Sequence, residues 1–459
     1  MRDGGRHPAP GHRSDAAPAR PGREGHRRHH RPRCGLEPLL RRREEAARRL
    51  GAELTVASER PSTFERANPT GLITLDFADP THAAGQARAF ARGHLVHGVV
   101  AVDDDTAVVA AAIAEELGLR GNPVAAARAA RDKHRQRQLL AAAGVAVPRF
   151  ELLTIGADPE SVARGAAYPC VLKPLRLSAS RGVVRADTPA EFVAAFERIK
   201  RILEEAGCEM RDAGGAGHHA SHVPHPASRS ILVEEFVPGR EVAVEGLVTQ
   251  GALRVLAIFD KPDPLDGPFF EETIYVTPSR LAQAAQQEIA ACAQAAVGAL
   301  GLREGPVHAE VRHNDRGAWL IELAARPIGG RCGAALRFEA RETGKGKGET
   351  LSLEEIIIRH ALGMDLPTME RERRASGVMM IPVPGAGVLR DVRGVGEAQA
   401  VPLVEEVVIT MHPGQTLVPW PEGSRYPGFI FARGGTSEAV EAALRAAHAR
   451  LEFLTEPAD

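Results

Sequence analysis

Aromatic residues are scarce in this 459-residue chain, at 4%. So few rings supply no platform for stacked bases, and a formal net charge of -1 gives no broad pull toward phosphate backbones or acidic membranes. Neither a nucleic-acid partner nor a membrane partner is expected. No apolar run is long enough to span a bilayer. The five cysteines (Cys34, Cys170, Cys208, Cys292 and Cys332) lie far apart without paired spacing. That pattern argues against a disulfide framework or a zinc site and for reduced thiols in the cytosol. What is present is ordinary for a globular protein: 44% hydrophobic and 25% charged residues.

The length implies roughly three domains at about 150 residues each. Residues 1–33 are rich in Arg, His, Pro and Gly and almost free of large apolar residues. This basic arm is expected to be disordered, and it has no apolar segment that would make it a secretory signal. It stands where an α/β domain would normally open with a buried strand, as it would if the start had been assigned in the wrong place. From residue 34 to 121, helical and strand patterns alternate, ending in ELTVASE, LITLDFA, HGVVAVDDD and the helix VVAAAIAEELGL. This predicts an N-terminal parallel α/β domain. Residues 122–345 form a second unit, in which SILVEEFVPGREVAVEGLV reads as a hairpin turned at Pro238-Gly239. Residues 346–459 read as a strand-rich α+β subdomain. The fold class is thus α/β plus α+β. A polar stretch carries His218, His219, His222 and His225. A solvated loop fits these better than a metal site, because nothing around them would orient the rings.

One hairpin holds the most informative residues. VHAEVRH and AWLIELA alternate at the strand period around Asp315-Arg316-Gly317. A three-residue loop there pairs Asn314 with Ala318, and hence Glu310 with Glu322. Two carboxylates directly opposite on one face repel. A hard cation between them removes the penalty. A solvated hairpin with charges on its wet face would carry the same letters.

Other residues line up before it. Lys133 heads a helix after Asp132, and Lys173 lies on the strand VLKP. Ser178, Ser180 and Gly182 belong to a small-residue loop of the kind that lets backbone N–H groups approach phosphate. Glu234, Glu235, Phe236 and Val237 form a strand-to-turn hinge whose backbone groups can read an adenine edge, and Glu241 follows as an acceptor for ribose hydroxyls. A lone lysine on a strand is usually a snorkelling surface residue. The ordered set is more specific than any one of its parts.

RDK, VLKP, VEEFVPGREVAVEG and HAE…IELAARPIGG together resemble the carboxylate–amine ligases of the ATP-grasp superfamily, especially the L-amino-acid ligases that make dipeptides. The flanking domains resemble theirs. The resemblance implies that two α+β lobes clamp ATP. By it, Lys133 and Lys173 would hold phosphates, and Glu234, the backbone around Glu235 and Val237, and Glu241 would hold adenosine. Glu310 and Glu322 would bind Mg²⁺ or Mn²⁺. Arg326 would clamp the carboxylate or acyl phosphate, Lys261 and His308 would reach the transferred phosphate, and Glu272 would bind a substrate ammonium. ATP, a carboxylate and an amine are then the partners, with a homodimer as the family-level expectation. Two other readings follow the same letters. One is a carboxylase using bicarbonate. The other is an inactive nucleotide-binding subunit, since Ala324 stands where many ATP-grasp enzymes have Asn.

Overall fold

The structure is a computed structural model, and it describes residues 37–59, 70–213, 229–339, 350–366 and 369–457. The arm over residues 1–33 and the four histidines of the polar stretch lie outside the described residues. Among the described residues no helix is long and apolar enough to cross a membrane.

The N-terminal domain holds α1 (Glu37–Arg49), β1 (Val56–Ser58), β2 (Leu72–Thr74), α2 (Pro80–Ala91) and α3 (Asp104–Glu116). Its two strands pair in parallel, as the alternation predicted. HGVVAVDDD, expected as a strand, lies in no sheet, and its last two aspartates open α3. Asp103 and Thr106 exchange capping hydrogen bonds, which commit the aspartate run to the start of α3. The preceding valines serve two cores rather than a sheet: Val99 packs with the N-terminal cluster and Val100 with that of the larger lobe.

After α4 (Val124–Arg131) and α5 (Lys133–Ala142) comes a small lobe. It contains β3 (Phe150–Thr154), α6 (Pro159–Gly165), β4 (Cys170–Pro174), β5 (Val184–Ala186), α7 (Pro189–Ala213) and β6 (Ser230–Glu235). The strands form an antiparallel sheet in the order β3-β6-β4-β5, and Phe192, Phe196 and Ile199 of α7 fill its core.

The large lobe starts with β7 (Arg240–Thr249), β8 (Ala252–Asp260), β9 (Ile274–Thr277), α8 (Gln283–Leu300), β10 (Glu304–Asn314) and β11 (Gly317–Ala324). The turn expected to close a hairpin at Pro238-Gly239 does something else. It carries the chain from β6 in the small sheet to β7 in the large one. Gly239 has φ 126°, and a Cβ there would meet the His313 carbonyl oxygen at 2.5 Å, so the turn passes flush against β10. Sequence periodicity identified both strands but not their partners.

The remaining elements are β12 (Arg337–Glu339), β13 (Thr350–Ser352), α9 (Leu353–Ala361), β14 (Ala375–Met380), β15 (Gly387–Arg393), α10 (Val395–Gln399), β16 (Val404–Ile409), β17 (Thr416–Leu417), β18 (Gly428–Gly434), α11 (Ser437–His448) and β19 (Glu452–Glu456). They do not all form the separate subdomain expected over residues 346–459. β14, β18 and β16 extend the large-lobe sheet, giving the order β11-β10-β7-β8-β9-β14-β18-β16. β17-β15-β19 make a three-stranded sheet of their own, and β12-β13 a two-stranded one.

Candidate active site

Glu310 and Glu322 are Cα partners, as expected, but by a different route. The observed turn pairs Asn314 with Gly317, one residue short of the predicted register. A bulge between Glu310 and Val311 then admits Ile321 as an extra residue and restores the opposition of the two acids. Each acid faces a lysine. Lys133 Nζ lies 3.0 Å from Glu322 Oε1, and Lys261 Nζ lies 3.1 Å from Glu310 Oε1.

Lys261 sits in a nest of carboxylates. Its ammonium also bonds Glu241 Oε1 at 2.7 Å and Glu272 Oε1 at 2.6 Å. Burial would lower its pKa, yet the three acids raise it well above the ordinary lysine value. Burial, with Glu310 nearby, pushes the Glu272 carboxyl up to about 7. Glu310 is held well below the usual range. Burial opposes this, but the nearby Lys261 and His308 prevail. His308 Nε2 lies 3.7 Å from Glu310 Oε1. Glu241, Glu272 and Glu310 offer oxygens all within 4.8 Å of one another, the one such grouping among the described residues. Oxygen donors of this kind suit a hard divalent ion, but of the two acids expected to bind one, Glu310 is in this group and Glu322 is not.

Glu241 also accepts from Arg312 Nε at 2.8 Å, so in this state it serves the cluster rather than an open ribose site. Arg312 NH1 donates to the Val237 carbonyl at 2.7 Å, fixing the hinge. Phe236 is buried beneath two guanidinium groups, with Arg185 at 4.1 Å and Arg312 at 4.9 Å from its ring. Glu235 pairs with Arg149 at 2.9 Å.

Lys173 and Glu234 meet at 2.5 Å, and Arg137 Nε lies 2.6 Å from the same carboxylate. All three side chains are at least 94% buried. Burial would raise the Glu234 carboxyl, but Arg137 and Lys173 hold it down. Arg137 further bonds the Ile321 carbonyl on β11, tying the lobes together. Sequence reading missed Arg137. Its signal was the spacing from Lys133: four positions on one helix place both on one face.

Arg326 does not swing toward the paired acids. It forms a two-pronged bond with Asp104, Nε to Oδ1 at 2.9 Å and NH2 to Oδ2 at 3.0 Å. Asp104 was also missed, because its segment read as strand; the helix-start pattern of three aspartates before Thr106 was the available signal. Ser178 Oγ donates to the same Asp104 Oδ2 at 3.0 Å. The loop over residues 178–183 holds Ala179 at φ 57°, Ser180 at φ 55° and Gly182 at φ 72°. The Gly182 N–H donates to the Pro421 carbonyl at 2.8 Å, so it is not aimed at a phosphate.

Two antiparallel sheets, three buried lysines each paired with an acid, and opposed glutamates fit an ATP-grasp architecture. Comparison with known proteins agrees. The ATP-grasp domain profile matches residues 166–335, the ATP-grasp N-terminal domain residues 44–121, and the L-amino acid ligase C-terminal domain 2 residues 379–456. These matches show a resemblance to the ATP-grasp amino-acid ligases. It is similar to the alanine–anticapsin ligase of Bacillus subtilis, 30% identical over 230 residues that cover 47% of this chain and 45% of that protein. The matched region thus spans less than half the length of that relative. In three dimensions it resembles the L-amino acid ligase from Bacillus licheniformis, with TM-score 0.71, 27% identity and coverage of 90% of this chain and 95% of the other. An N5-carboxyaminoimidazole synthase from Aspergillus clavatus, solved with ADP and 5-aminoimidazole ribonucleotide, shares the fold at TM-score 0.61, 17% identity and coverage of 89% and 95%.

Proposed function

We propose that this chain is an ATP-dependent carboxylate–amine ligase, joining an amino acid to an amine through an acyl phosphate. The observation that carries it is the opposition of Glu310 and Glu322 beside two lysines. The L-amino-acid ligase resemblance, which extends through the C-terminal part of the chain, supports an amino acid as the carboxylate.

Lys133 and Lys173 neutralise the triphosphate as it enters the cleft. Glu310 and Glu322 would hold Mg²⁺ or Mn²⁺, which when bound offsets charge on the phosphates. A substrate carboxylate oxygen attacks the γ-phosphorus, the bond to ADP breaks, and an acyl phosphate forms. The protein's part is positioning and charge stabilisation. Arg326 exchanges Asp104 for the substrate carboxylate, using the same planar fork. Lys261 and His308 border the transferred phosphate. The amine then attacks the acyl carbon, and inorganic phosphate leaves as the amide forms. Glu272, with its pKa near neutrality, suits an ammonium that must lose a proton before it attacks.

The test is ADP release against a panel of amino acids, with and without bicarbonate, for the wild type and E322Q. Amino-acid-dependent release that E322Q abolishes supports the ligase. Release dependent on bicarbonate alone supports a carboxylase, and no release under any condition leaves only nucleotide binding.

A further inference from the structure

We propose that Trp420, Pro421 and Glu422 of the C-terminal region position the phosphate loop of the small lobe, and that this contact keeps water from the acyl phosphate. The second half rests on the ligase reading; the first does not.

Three contacts cross from one body to the other. Trp420 Nε1 donates to the Ala179 carbonyl at 2.8 Å. The Gly182 N–H donates to the Pro421 carbonyl at 2.8 Å. Arg198 on α7 grips Glu422 with both prongs, at 2.6 and 2.8 Å. Trp420 is buried, with its ring 4.7 Å from that of Tyr426, so its indole N–H is fixed in place. Arg198 extends from a helix whose neighbours Phe196 and Ile199 are core residues. The ion pair therefore holds the whole lobe, while Trp420 and Pro421 hold the loop itself.

The loop needs outside support. Two of its residues, Ala179 and Ser180, occupy left-handed backbone conformations that side chains disfavour. Its amides are largely committed: Arg181 N–H bonds Ser178, Gly182 N–H bonds Pro421, and Val183 N–H bonds Ser180. A loop with its amides occupied serves as a cover more than as a phosphate cradle. A cover matters here because an acyl phosphate is destroyed by water.

The experiment compares E422Q and W420F with the wild type. In nucleotide-free protein, amide hydrogen exchange over residues 177–184 should quicken on the order of fivefold, as expected from losing one well-formed bidentate pair or one buried hydrogen bond. During turnover, the ratio of ADP released to amide formed should rise in both variants, a readout that mere loss of stability would not move. Exchanging the charges, R198E with E422R, should restore both readouts toward wild type. Unchanged exchange in both single variants overturns the positioning role. Faster exchange with an unchanged ratio overturns the water-excluding role. If the wild type makes no amide at all, the ligase reading fails, and the exchange data still decide the contact.

Discussion

Asp104 joins Arg326 of the large lobe to the loop of the small one. It receives Arg326 through two hydrogen bonds and Ser178 through a third. Its carboxyl lies at about 2 against an ordinary 3.8: burial pushes it up, and Arg326, Arg131 and Lys133 more than reverse that. A difference of roughly two units at about 1.36 kcal/mol each gives about 2.5 kcal/mol. The two side chains are 16% and 17% exposed, so about 2 kcal/mol is the fair expectation after screening. Asp104→Asn should therefore lower the unfolding free energy at pH 7 by about 2 kcal/mol. The assay is urea denaturation of D104N, R326Q and the double variant, read as a coupling energy. The pH dependence has a definite sign. A carboxylate held below its unfolded value adds its full stability above pH of about 4, and loses it as pH falls through about 2. The gap between wild type and D104N should thus be constant from pH 7 to 5 and shrink below 4. A coupling energy under about 0.5 kcal/mol, or a gap indifferent to acid, would refute the reasoning.

Glu234→Gln should cost about 3–5 kcal/mol and loosen ATP binding, because Arg137 and Lys173 would face each other without their shared acid; urea denaturation and calorimetry check it, and a loss below 1 kcal/mol would count against it. Lys261→Met leaves three carboxylates around an empty centre. Its melting temperature should fall by several degrees and recover in part with added Mg²⁺ or Mn²⁺, whereas indifference to divalent ions would argue against a cation site. Arg326→Lys should leave ATP affinity intact but raise the amino-acid concentration needed for ADP release, since an ammonium cannot copy the two-pronged grip. Collapse of ATP affinity, measured by calorimetry, would move Arg326 to the nucleotide site.

Much of the fold was legible because local patterning is strong in this chain. The strand period placed VLKP on β4 and both halves of the glutamate hairpin on β10 and β11. The opposition of Glu310 and Glu322 was read correctly although the turn was misjudged by one residue, because the bulge returned the missing step. Long-range partnership was not legible. Nothing in VEEFVPGREV distinguishes a hairpin from a crossing between two sheets, because both need two strands and a Gly turn. Arg326 was expected to clamp a substrate carboxylate or acyl phosphate, whereas in this structure it holds a carboxylate of the chain itself. Its occupant, Asp104, lies 222 residues away, and no local pattern encodes a distance of that kind. Glu241 shows the same limit. Its place after the hinge suggested ribose, whereas the cluster with Lys261 appears only when β7, β8 and β10 are side by side.

The continuous eight-stranded sheet has a consequence for anyone who would cut or recombine this protein. β9 is joined to β8 through a single register pair, Asp260 with Val276, but to β14 through four. All four residues of β9 are buried, and Glu272 lies just before it. A truncation before Ala375 would thus strip β9 of its main partner and leave an apolar edge open to pairing with other molecules. It would also release the acid proposed to receive the amine. Chimaeras between relatives should keep β9 and β14 from the same parent, because the boundary that separates these segments in sequence runs through the middle of a single hydrogen-bonded ladder.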